Sequence, residues 1–389
     1  MIFLDKVVNL ENTSESQIDL QAYSYCASDS EQTPKHILWP ETTNQVARIL
    51  RENNQVRGNI VIRGAGTNRS DGSIGRDVTI LSSERMNKIL RFDNKSKLVE
   101  VQAGMRIHIF NSKLSEYNLM IPATTLNPSM TVGGLLALDA ATRENQNAKG
   151  INNLIHLIEF VDGTGKIYFT EKKELVVGKE GLSGFITRVV FKTIDRPIIS
   201  LDVFMFENIP DLMAKIRMLR SDPELYFLEL IDKIIAVSVG FEPKFVLVAA
   251  YFGLKGKYFR IIDIRNILER LDLVYPSIRQ RGYYYELDPS VSLDKTYDLI
   301  DWCANNNTPL HGHAAKGVFY VYFKRGDHDK LVEFKTFLKD VGAGLGSFFG
   351  IGAQNIEFAT PDLKKGLIKL KDEYDYNNTL NPEKVISYR

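Results

Sequence analysis

The sequence predicts an α+β protein of two domains, an α/β domain followed by a domain with longer helices. Residues 35–110 alternate short apolar runs with segments of helical periodicity, which is typical of an α/β domain. Residues 155–170, IHLIEFVDGTGKIYFT, contain two alternating runs around a polar, glycine-containing turn, the pattern of a β-hairpin. From residue 198 to 355 longer helical segments separate strand-like runs, which indicates a second domain.

Within the first domain, β-branched runs predict strands at NIVIRG, VTILSS, KLVEVQAG and ITRVVFKTI. The segment PETT, residues 40–43, opens a helix that places Val46, Ile49 and Leu50 on one face. RIHIFNSKLSEYN is predicted to form the next helix. The alternation therefore continues to the hairpin of residues 155–170.

In the second domain, helices are predicted at PDLMAKIRMLRS, YFRIIDIRNILERLDLV, SLDKTYDLIDWCANN and DHDKLVEFKTFLKDVG. FVLVAAYFG and GVFYVYF are predicted strands. After residue 355, DLKKGLIKLKDEYDYNN predicts a charged helix that ends at Asn377-Asn378, and Pro382 prevents its continuation.

The composition excludes several classes of protein. The 389 residues include 49 Lys and Arg against 48 Asp and Glu, a net charge of +1 that gives no electrostatic case for a nucleic-acid partner. No apolar run approaches the roughly 20 residues that span a bilayer. The N-terminus carries Asp5 and lacks the cationic start of a signal peptide. Cys26 and Cys303 lie far apart, which favours reduced thiols, so we expect a soluble cytoplasmic protein without an integral membrane segment.

Residues 61–74, VIRGAGTNRSDGSI, form a glycine-rich loop behind a predicted strand. Glycines allow close approach of the backbone to a ligand, and successive N–H groups suit phosphate oxygens. The loop lacks the Rossmann pattern, because Arg69 stands where the third glycine would be, and it also lacks the GK[ST] of a P-loop. A tight surface turn therefore remains the alternative for this loop taken alone.

Three further segments extend the pattern: PATTLNPSMTVGGLLA at residues 122–137, GKEGLSGFITRVVF at residues 178–191, and LNPEKVI near the C-terminus. In their order and spacing, these segments resemble the FAD-linked oxidase family, which has a vanillyl-alcohol-oxidase or PCMH-type FAD-binding domain. The resemblance is strongest to glycolate oxidase and D-lactate dehydrogenase flavoprotein subunits. It covers residues 35–195, and more loosely FLELID, ELDPS, PLHGHA and the tail.

The resemblance implies a PCMH-type FAD-binding domain of two α/β subdomains at residues 1–197. An α+β cap, with an antiparallel sheet flanked by helices, follows at residues 198–355, and a tail at residues 356–389 returns to the first domain. The implied FAD-binding residues are Arg63, Gly64, Ala65, Gly66, Thr67, Asn68, Pro128, Ser129, Thr131, Gly133, Gly134, Ala137, Glu180, Gly181, Gly184, Ile186 and Asn381. Close helix packing is the alternative explanation for the pair Gly133-Gly134.

Two departures from the family pattern change the expected chemistry. Ala140, Ala141 and Thr142 stand where members that link the flavin covalently often have a histidine, so we expect non-covalent FAD. The 2-hydroxy-acid branch has metal-binding patterns similar to GHAGDGNLH and EHGIG, whereas this chain has GHAAKGVFY and FFGIG. His313 matches the first ligand, but Tyr320 replaces the second, and Phe348 and Phe349 replace Glu-His. We therefore predict no metal site of the family type.

Candidate catalytic residues cluster on one strand and loop of the cap: His311, His313, Lys316, Tyr320 and Tyr322. A histidine or tyrosine there could remove a hydroxyl proton, and Lys316 or Arg279 could bind a substrate carboxylate or phosphate. Ordinary sheet packing is the alternative for the tyrosines, and a hydrogen-bonded structural role is the alternative for His313.

The resemblance implies FAD-dependent oxidation of a hydroxyl-bearing carbon in a small, 2-hydroxy-acid-like substrate by hydride transfer to flavin N5. An electron-acceptor protein or a quinone is a possible partner. One alternative is a sugar or alditol oxidase of the same superfamily, such as the decaprenylphosphoryl-ribose oxidase branch, although Ala141 replaces its histidine. A non-catalytic FAD-binding electron-transfer subunit is a second alternative, and a plain nucleotide-binding module is a third.

Overall fold

The computed structural model describes residues 12–28, 30–125, 127–144, 151–346 and 350–386, except for the side chains of residues 353 and 354. Two sequence interpretations lie outside this part of the chain: the one on the N-terminus, including Asp5, and the one on Phe348 and Phe349. Among the described helices, none has the length and hydrophobicity that a bilayer-spanning segment needs.

The first lobe is a small α/β unit. Strands β1 (Thr13–Ser14), β2 (His36–Leu38), β3 (Ile60–Arg63) and β4 (Thr79–Ser82) form a sheet in the order β1-β2-β4-β3, in which the last three strands are parallel. Helices α1 (Gln17–Tyr23) and α2 (Thr43–Val56) belong to this lobe. A capping box between Thr42 and Gln45 starts α2, which confirms the helix predicted after Pro40.

The second lobe is built on an antiparallel sheet. Its strands are β5 (Ile89–Asp93), β6 (Leu98–Gln102), β8 (Ile155–Val161), β9 (Ile167–Thr170) and β10 (Phe185–Lys192), in the order β5-β6-β10-β8-β9. Helices α3 (Ile107–Ser115) and α4 (Val132–Leu138) accompany this sheet, and β7 (Leu119–Met120) pairs with β11 (Ile194–Asp195). The predicted alternation of strands and helices therefore gives parallel pairings in the first lobe, whereas the strand pairings in the second sheet are antiparallel.

The third sheet begins at residue 199 and has six antiparallel strands. They are β12 (Ile199–Phe206), β13 (Leu225–Ile231), β14 (Phe245–Phe252), β15 (Tyr283–Leu287), β16 (Leu310–His313) and β17 (Val318–Lys324), in the order β12-β14-β13-β16-β17-β15. The associated helices are α5 (Ile209–Arg220), α6 (Lys233–Ser238), α7 (Ile261–Asp272), α8 (Val274–Gln280), α9 (Leu293–Asn305) and α10 (His328–Asp340).

Alternating side chains give this sheet two different faces. Phe319, Val321 and Phe323 of β17 pack in a core with α5, α9 and α10. Tyr320 and Tyr322 of the same strand lie instead in a core that continues into the second lobe. The side chains of the cap that point toward the second lobe therefore come from this second face.

The C-terminal tail returns to the first lobe. A 3-10 turn (Ala353–Phe358) leads into α11 (Pro361–Tyr374), which ends three residues before the predicted Asn377. Beyond the helix, the N–H of Ile60 donates to the Thr379 carbonyl at 2.8 Å, and the N–H of Asn381 donates to the Ile60 carbonyl at 2.7 Å. This pairing supports the proposal that the tail belongs with the first domain.

A buried ion pair holds the turn after α11. The Lys371 ammonium lies 2.5 Å from the Asp375 carboxylate, and each side chain is only 1% exposed. The same carboxylate accepts the N–H groups of Thr379 at 3.0 Å and Leu380 at 2.8 Å. Lys371 and Asp375 therefore organise the backbone that pairs with β3.

We expect Lys371→Met to lower the free energy of unfolding by about 3 kcal/mol, because it leaves the buried Asp375 carboxylate without its cation. Urea denaturation would measure the change. Lys369→Met, an exposed position on the same helix, is the matched control and should change stability by less than about 0.5 kcal/mol. Equal effects of the two substitutions would contradict this role for the ion pair.

Candidate functional site

A groove with about 760 Å³ of empty space lies between the two lobes of the first domain. One wall is the glycine loop after β3, and another is α4 with its N-cap Thr131. The loop before β10 and the tail residue Asn381 complete the lining. Four segments that are far apart in the sequence therefore meet around one concave surface.

The structure brings together nearly all of the residues predicted to bind the cofactor. Arg63, Gly64, Ala65, Gly66, Thr67, Asn68, Thr131, Gly133, Gly134, Ala137, Glu180, Gly181, Gly184, Ile186 and Asn381 line the groove. Pro128 and Ser129 do not: the Pro128 carbonyl lies 2.5 Å from His108 Nδ1, and the Ser129 N–H donates to Asn127 Oδ1 at 3.0 Å. Seven lining residues were not predicted, and all but Leu138 lie inside segments quoted from the sequence: Ile62, Gly72, Ser73, Ser83, Ala103, Leu138 and Phe185.

The glycine loop offers a row of hydrogen-bond donors. Among the described residues, none accepts a hydrogen bond from the backbone N–H groups of residues 64–67. Gly66 has φ of +67°, and a Cβ there would lie 2.3 Å from Arg63 Nη2, so this position requires glycine. The Arg63 guanidinium donates to the Ser73 carbonyl at 3.3 Å and lies over the Tyr23 ring, which braces the loop. Four adjacent donors facing a groove suit a ligand rich in acidic oxygens.

Gly133 and Gly134 serve both of the roles considered for them. The Gly133 N–H donates to the Ala103 carbonyl at 2.7 Å, and a Cβ on Gly133 would lie 2.9 Å from that of Ala103. The Gly134 N–H donates to Thr131 Oγ1 at 3.1 Å, which caps α4. Both glycines also line the groove. Close packing and access to the groove therefore have the same cause, the absence of a side chain.

The Asn381 amide joins two walls of the groove. Its Oδ1 accepts the Ile62 N–H at 2.8 Å, and its Nδ2 donates to the Glu180 carbonyl at 2.9 Å. The Glu180 carboxylate in turn accepts the N–H groups of Ile351 at 2.7 Å and Gly352 at 3.2 Å. Burial raises the pKa of Glu180 to about 7 despite these two hydrogen bonds. Hydrogen bonds of Asn381 and Glu180 thus connect both lobes, the tail and residues 351–352 at this groove.

A second cavity, with about 330 Å³ of empty space, lies between the cap sheet and the second lobe. The cap contributes Glu229, Ile231, Leu271, Val274, His311 and His313, and the loop before α4 and the segment after it contribute Thr124, Thr125 and Arg143. Thr124 and Thr125 lie on the loop that leads into α4, and α4 lines the groove. The second cavity and the groove are therefore lined by one continuous segment of the chain.

Glu229 and His313 form a buried acid–imidazole pair in this cavity. His313 Nδ1 lies 2.7 Å from Glu229 Oε1, and the side chains are 8% and 5% exposed. Burial by itself would raise the pKa of Glu229, but His313, Arg143 and His311 together lower it to about 2. The carboxylate is therefore ionised at neutral pH and can orient the imidazole.

Each of the two cavity histidines also has a ring nitrogen close to a tyrosine hydroxyl. His313 Nε2 lies 3.1 Å from the Tyr320 hydroxyl, and His311 Nδ1 lies 3.0 Å from the Tyr322 hydroxyl. Burial lowers the pKa of His311 to about 3, so this ring is neutral at physiological pH. Tyr320 and Tyr322 are 0% and 1% exposed and lie behind the histidines rather than on the cavity wall.

Two predicted anion-binding residues lie elsewhere. Lys316 Nζ donates to the Thr142 carbonyl at 2.7 Å, and Arg279 Nη1 donates to the Tyr284 carbonyl at 2.7 Å. Neither side chain lines the groove or the histidine cavity. The cation on the cavity wall is instead Arg143, a residue that the sequence analysis did not identify.

The sequence gives a reason to examine Glu229 as a functional residue, but it gives none for Arg143. Glu229 is an acid inside FLELID, within a strand whose seven residues are all buried, and such a charge needs a partner. Arg143 follows α4 in ATRE, where no periodicity or motif marks it. Across the described ranges, no group of three or more His, Cys, Asp or Glu side chains could hold a metal ion.

Part of the chain matches a known protein family. Residues 34–171 match the family described as FAD binding domain. D-lactate dehydrogenase (cytochrome) 1, mitochondrial, of Saccharomyces cerevisiae is 29% identical over 252 residues, which are 57% of this chain and 42% of that protein. Glycolate oxidase subunit GlcD of Bacillus subtilis is 27% identical over 53% of this chain and 47% of that protein. The aligned part of the chain spans less than half the length of either relative.

Solved structures share the fold over nearly the whole chain. An alkyldihydroxyacetonephosphate synthase has a TM-score of 0.74 at 15% identity, covering 97% of this chain and 83% of that one. p-Cresol methylhydroxylase with substrate bound also has a TM-score of 0.74, at 13% identity, covering 98% of this chain and 95% of that one. These likenesses confirm the predicted α+β fold of the PCMH type.

We expect Asn381→Ala to weaken FAD binding about tenfold, because it removes two hydrogen bonds that set the spacing of the groove walls. Titration of the apoprotein with FAD, followed by flavin fluorescence, measures the dissociation constant. Asn377→Ala is the matched control, since Asn377 lies in the same tail but bonds to Asn54, away from the groove. An unchanged dissociation constant in Asn381→Ala would contradict this role.

We expect Glu229→Gln to lower the free energy of unfolding at pH 7 by about 3 kcal/mol, because the buried Arg143 guanidinium loses a counter-charge. The pKa of Glu229 is lowered from 4.5 to about 2, so its stabilisation is fully present above pH 4.5 and is lost toward pH 2. The difference from wild type in urea denaturation should therefore shrink below pH 4.5. A difference that stays constant with pH, like that expected for the exposed control Glu116→Gln, would refute this assignment.

Proposed function

We propose that this chain, which belongs to the FAD-linked oxidase family, is an FAD-dependent oxidoreductase that oxidises the hydroxyl-bearing carbon of a small 2-hydroxy acid. The observation that carries the proposal is the groove of about 760 Å³ lined by almost every residue that the glycine-rich segments predicted. The relatives named D-lactate dehydrogenase and glycolate oxidase subunit support the substrate class.

The groove fits FAD in its donors and in its lining. The N–H groups of residues 64–67 can bind pyrophosphate oxygens without a lysine. The small residues Thr131, Gly133, Gly134 and Ala137 leave room for a planar ring system along α4. None of the described residues on the groove wall is His, Cys or Tyr, the side chains that commonly link a flavin. This lining supports non-covalent binding.

Bound FAD supplies a hydride acceptor at flavin N5. Oxidation of the substrate carbon also releases the hydroxyl proton, and His313 Nε2 is suited to take it. With Nδ1–H donated to the Glu229 carboxylate, Nε2 carries the lone pair, and Glu229 stabilises the positive charge that the ring gains. The Tyr320 hydroxyl lies 3.1 Å from Nε2 and helps to fix the orientation of the ring.

The apolar part of the cavity supports this proton transfer. Ile231, Leu271 and Val274 contribute apolar side chains to the cavity lining. A wall of this kind excludes water and strengthens the interaction between Glu229 and the protonated imidazole. The neutral His311 can hydrogen-bond a substrate oxygen without competing for the proton, because its pKa lies far below that of an ordinary histidine.

Location and electron acceptor belong to the same proposal. Among the described residues, Cys26 and Cys303 are both free thiols, which supports a reducing cytoplasmic compartment. We further propose that a protein or a quinone accepts the electrons from the reduced flavin.

Anaerobic mixing with candidate substrates tests the reaction. We expect D-lactate, glycolate or D-2-hydroxyglutarate to bleach the flavin absorbance, and a dichlorophenol dye to restore it. Xylitol and sorbitol should leave the spectrum unchanged. Bleaching by the polyols alone would favour the alditol-oxidase alternative, and no bleaching by any compound would favour the non-catalytic FAD-binding subunit.

We expect His313→Gln to lower kcat by about 10² to 10⁴, the usual contribution of a general base, with FAD content unchanged. Steady-state kinetics with the dye as acceptor gives kcat, and the flavin-to-protein absorbance ratio gives the content. His156→Gln is the matched control, because His156 is exposed on β8. If His313→Gln keeps kcat within tenfold of wild type, His313 is not the base.

A further inference from the structure

We propose that Arg143 is the residue that selects carboxylate-bearing substrates, and that Asp272 holds its guanidinium in place until a substrate carboxylate replaces Asp272. This inference rests on the proposed function and adds a specificity residue to it. Neither the family pattern quoted above nor the comparisons assign a role to Arg143.

The backbone of Arg143 is fixed against the cavity wall. The Arg143 N–H donates to the Thr124 carbonyl at 2.9 Å, and the Glu144 carboxylate accepts the Thr124 N–H at 3.1 Å. Thr124 and Arg143 both line the cavity, together with His313. A guanidinium on this support reaches the space where the hydroxyl of a substrate would meet the imidazole.

The guanidinium interacts with two acids that differ in burial. Arg143 Nε lies 3.4 Å from Glu229 Oε1, and Nη2 lies 2.9 Å from Asp272 Oδ1. The Glu229 side chain is 5% exposed and is already bound to His313, whereas the Asp272 side chain, at the end of α7, is 65% exposed. Of the two partners, Asp272 is the one that water can readily solvate if the pair opens.

A substrate carboxylate is the better partner for Nη2. Asp272 gains little from the pair, because its exposed carboxylate is well solvated when the two groups are apart. A carboxylate inside the cavity would meet the planar fork of Arg143 with two parallel hydrogen bonds, in surroundings with little water. The Arg143 side chain is only 13% exposed. The exchange therefore replaces the solvated Asp272 carboxylate with a substrate carboxylate that is held beside Arg143 in the cavity.

This exchange discriminates between the two enzyme classes considered for the chain. A 2-hydroxy acid supplies the carboxylate that takes over Nη2 while its hydroxyl faces His313. A neutral polyol supplies no anion, so Arg143 stays on Asp272 and contributes nothing to binding. Lys316 and Arg279 do not line this cavity, and their charged groups donate to the Thr142 and Tyr284 carbonyls.

The test uses a ligand that cannot be oxidised, so that it does not depend on turnover. 2-Hydroxyisobutyrate has the carboxylate and hydroxyl of a 2-hydroxy acid but no hydrogen on the hydroxyl-bearing carbon. Its amide is the neutral counterpart. Calorimetric titration of the FAD-loaded protein with each compound gives the two dissociation constants.

We expect wild type to bind the acid at least tenfold more tightly than the amide, and Arg143→Gln to bind both compounds equally. Arg143→Lys should recover only part of the preference, because lysine lacks the planar fork. Arg270→Gln is the matched control: Arg270 lies on α7, donates to the Gly240 carbonyl, and should leave the preference intact. An undiminished preference in Arg143→Gln would overturn the inference.

Asp272→Asn tests the same exchange at an exposed position where misfolding is not expected. Removing the competing anion should tighten binding of the acid twofold to tenfold and leave the amide unchanged. Weaker or unchanged binding of the acid would overturn the displacement of Asp272. Failure of the proposed function has a different signature, since it would appear as absent flavin or as an unbleached spectrum with every hydroxy acid.

Discussion

The side-chain amide of Asn381 is the interaction on which the groove depends. It accepts the N–H that precedes the glycine loop and donates to the carbonyl of Glu180, whose carboxylate holds residues 351 and 352. One side chain from the tail therefore sets the distance between two walls that are more than a hundred residues apart in sequence. Residues 64–67 line the groove directly after the strand that this link joins to Glu180.

A second constraint shapes the cap. Glu229 is a charge in a strand whose residues are all buried, and an unpaired charge there would be prohibitively costly. The fold satisfies it with His313 on the neighbouring strand and Arg143 from the second lobe. The same pairing that makes the buried acid tolerable also gives the imidazole an orientation and keeps a guanidinium at the cavity wall. Stability and the proposed chemistry thus share one set of contacts.

The sequence predicted the groove well and the cavity only partly. Gly66 reflects a local backbone requirement, a φ of +67°, which a short segment can reveal without its surroundings. Lys316 donates to the Thr142 carbonyl of the second lobe, a long-range contact, and Arg279 donates to the Tyr284 carbonyl; neither side chain lines the cavity. Arg143 could not be predicted because its partners, Glu229 and Asp272, come from another domain. The antiparallel order of the second sheet likewise depends on long-range pairing.

An absorbance spectrum of the purified protein, and of the supernatant after acid precipitation, tests the central claim most directly. We expect flavin bands near ~370 and ~450 nm that pass into the supernatant, because we propose that the groove holds FAD without a covalent link. A protein that remains colourless after incubation with FAD and removal of the excess would contradict the account. The glycine loop would then be a surface turn, and the groove would have another ligand.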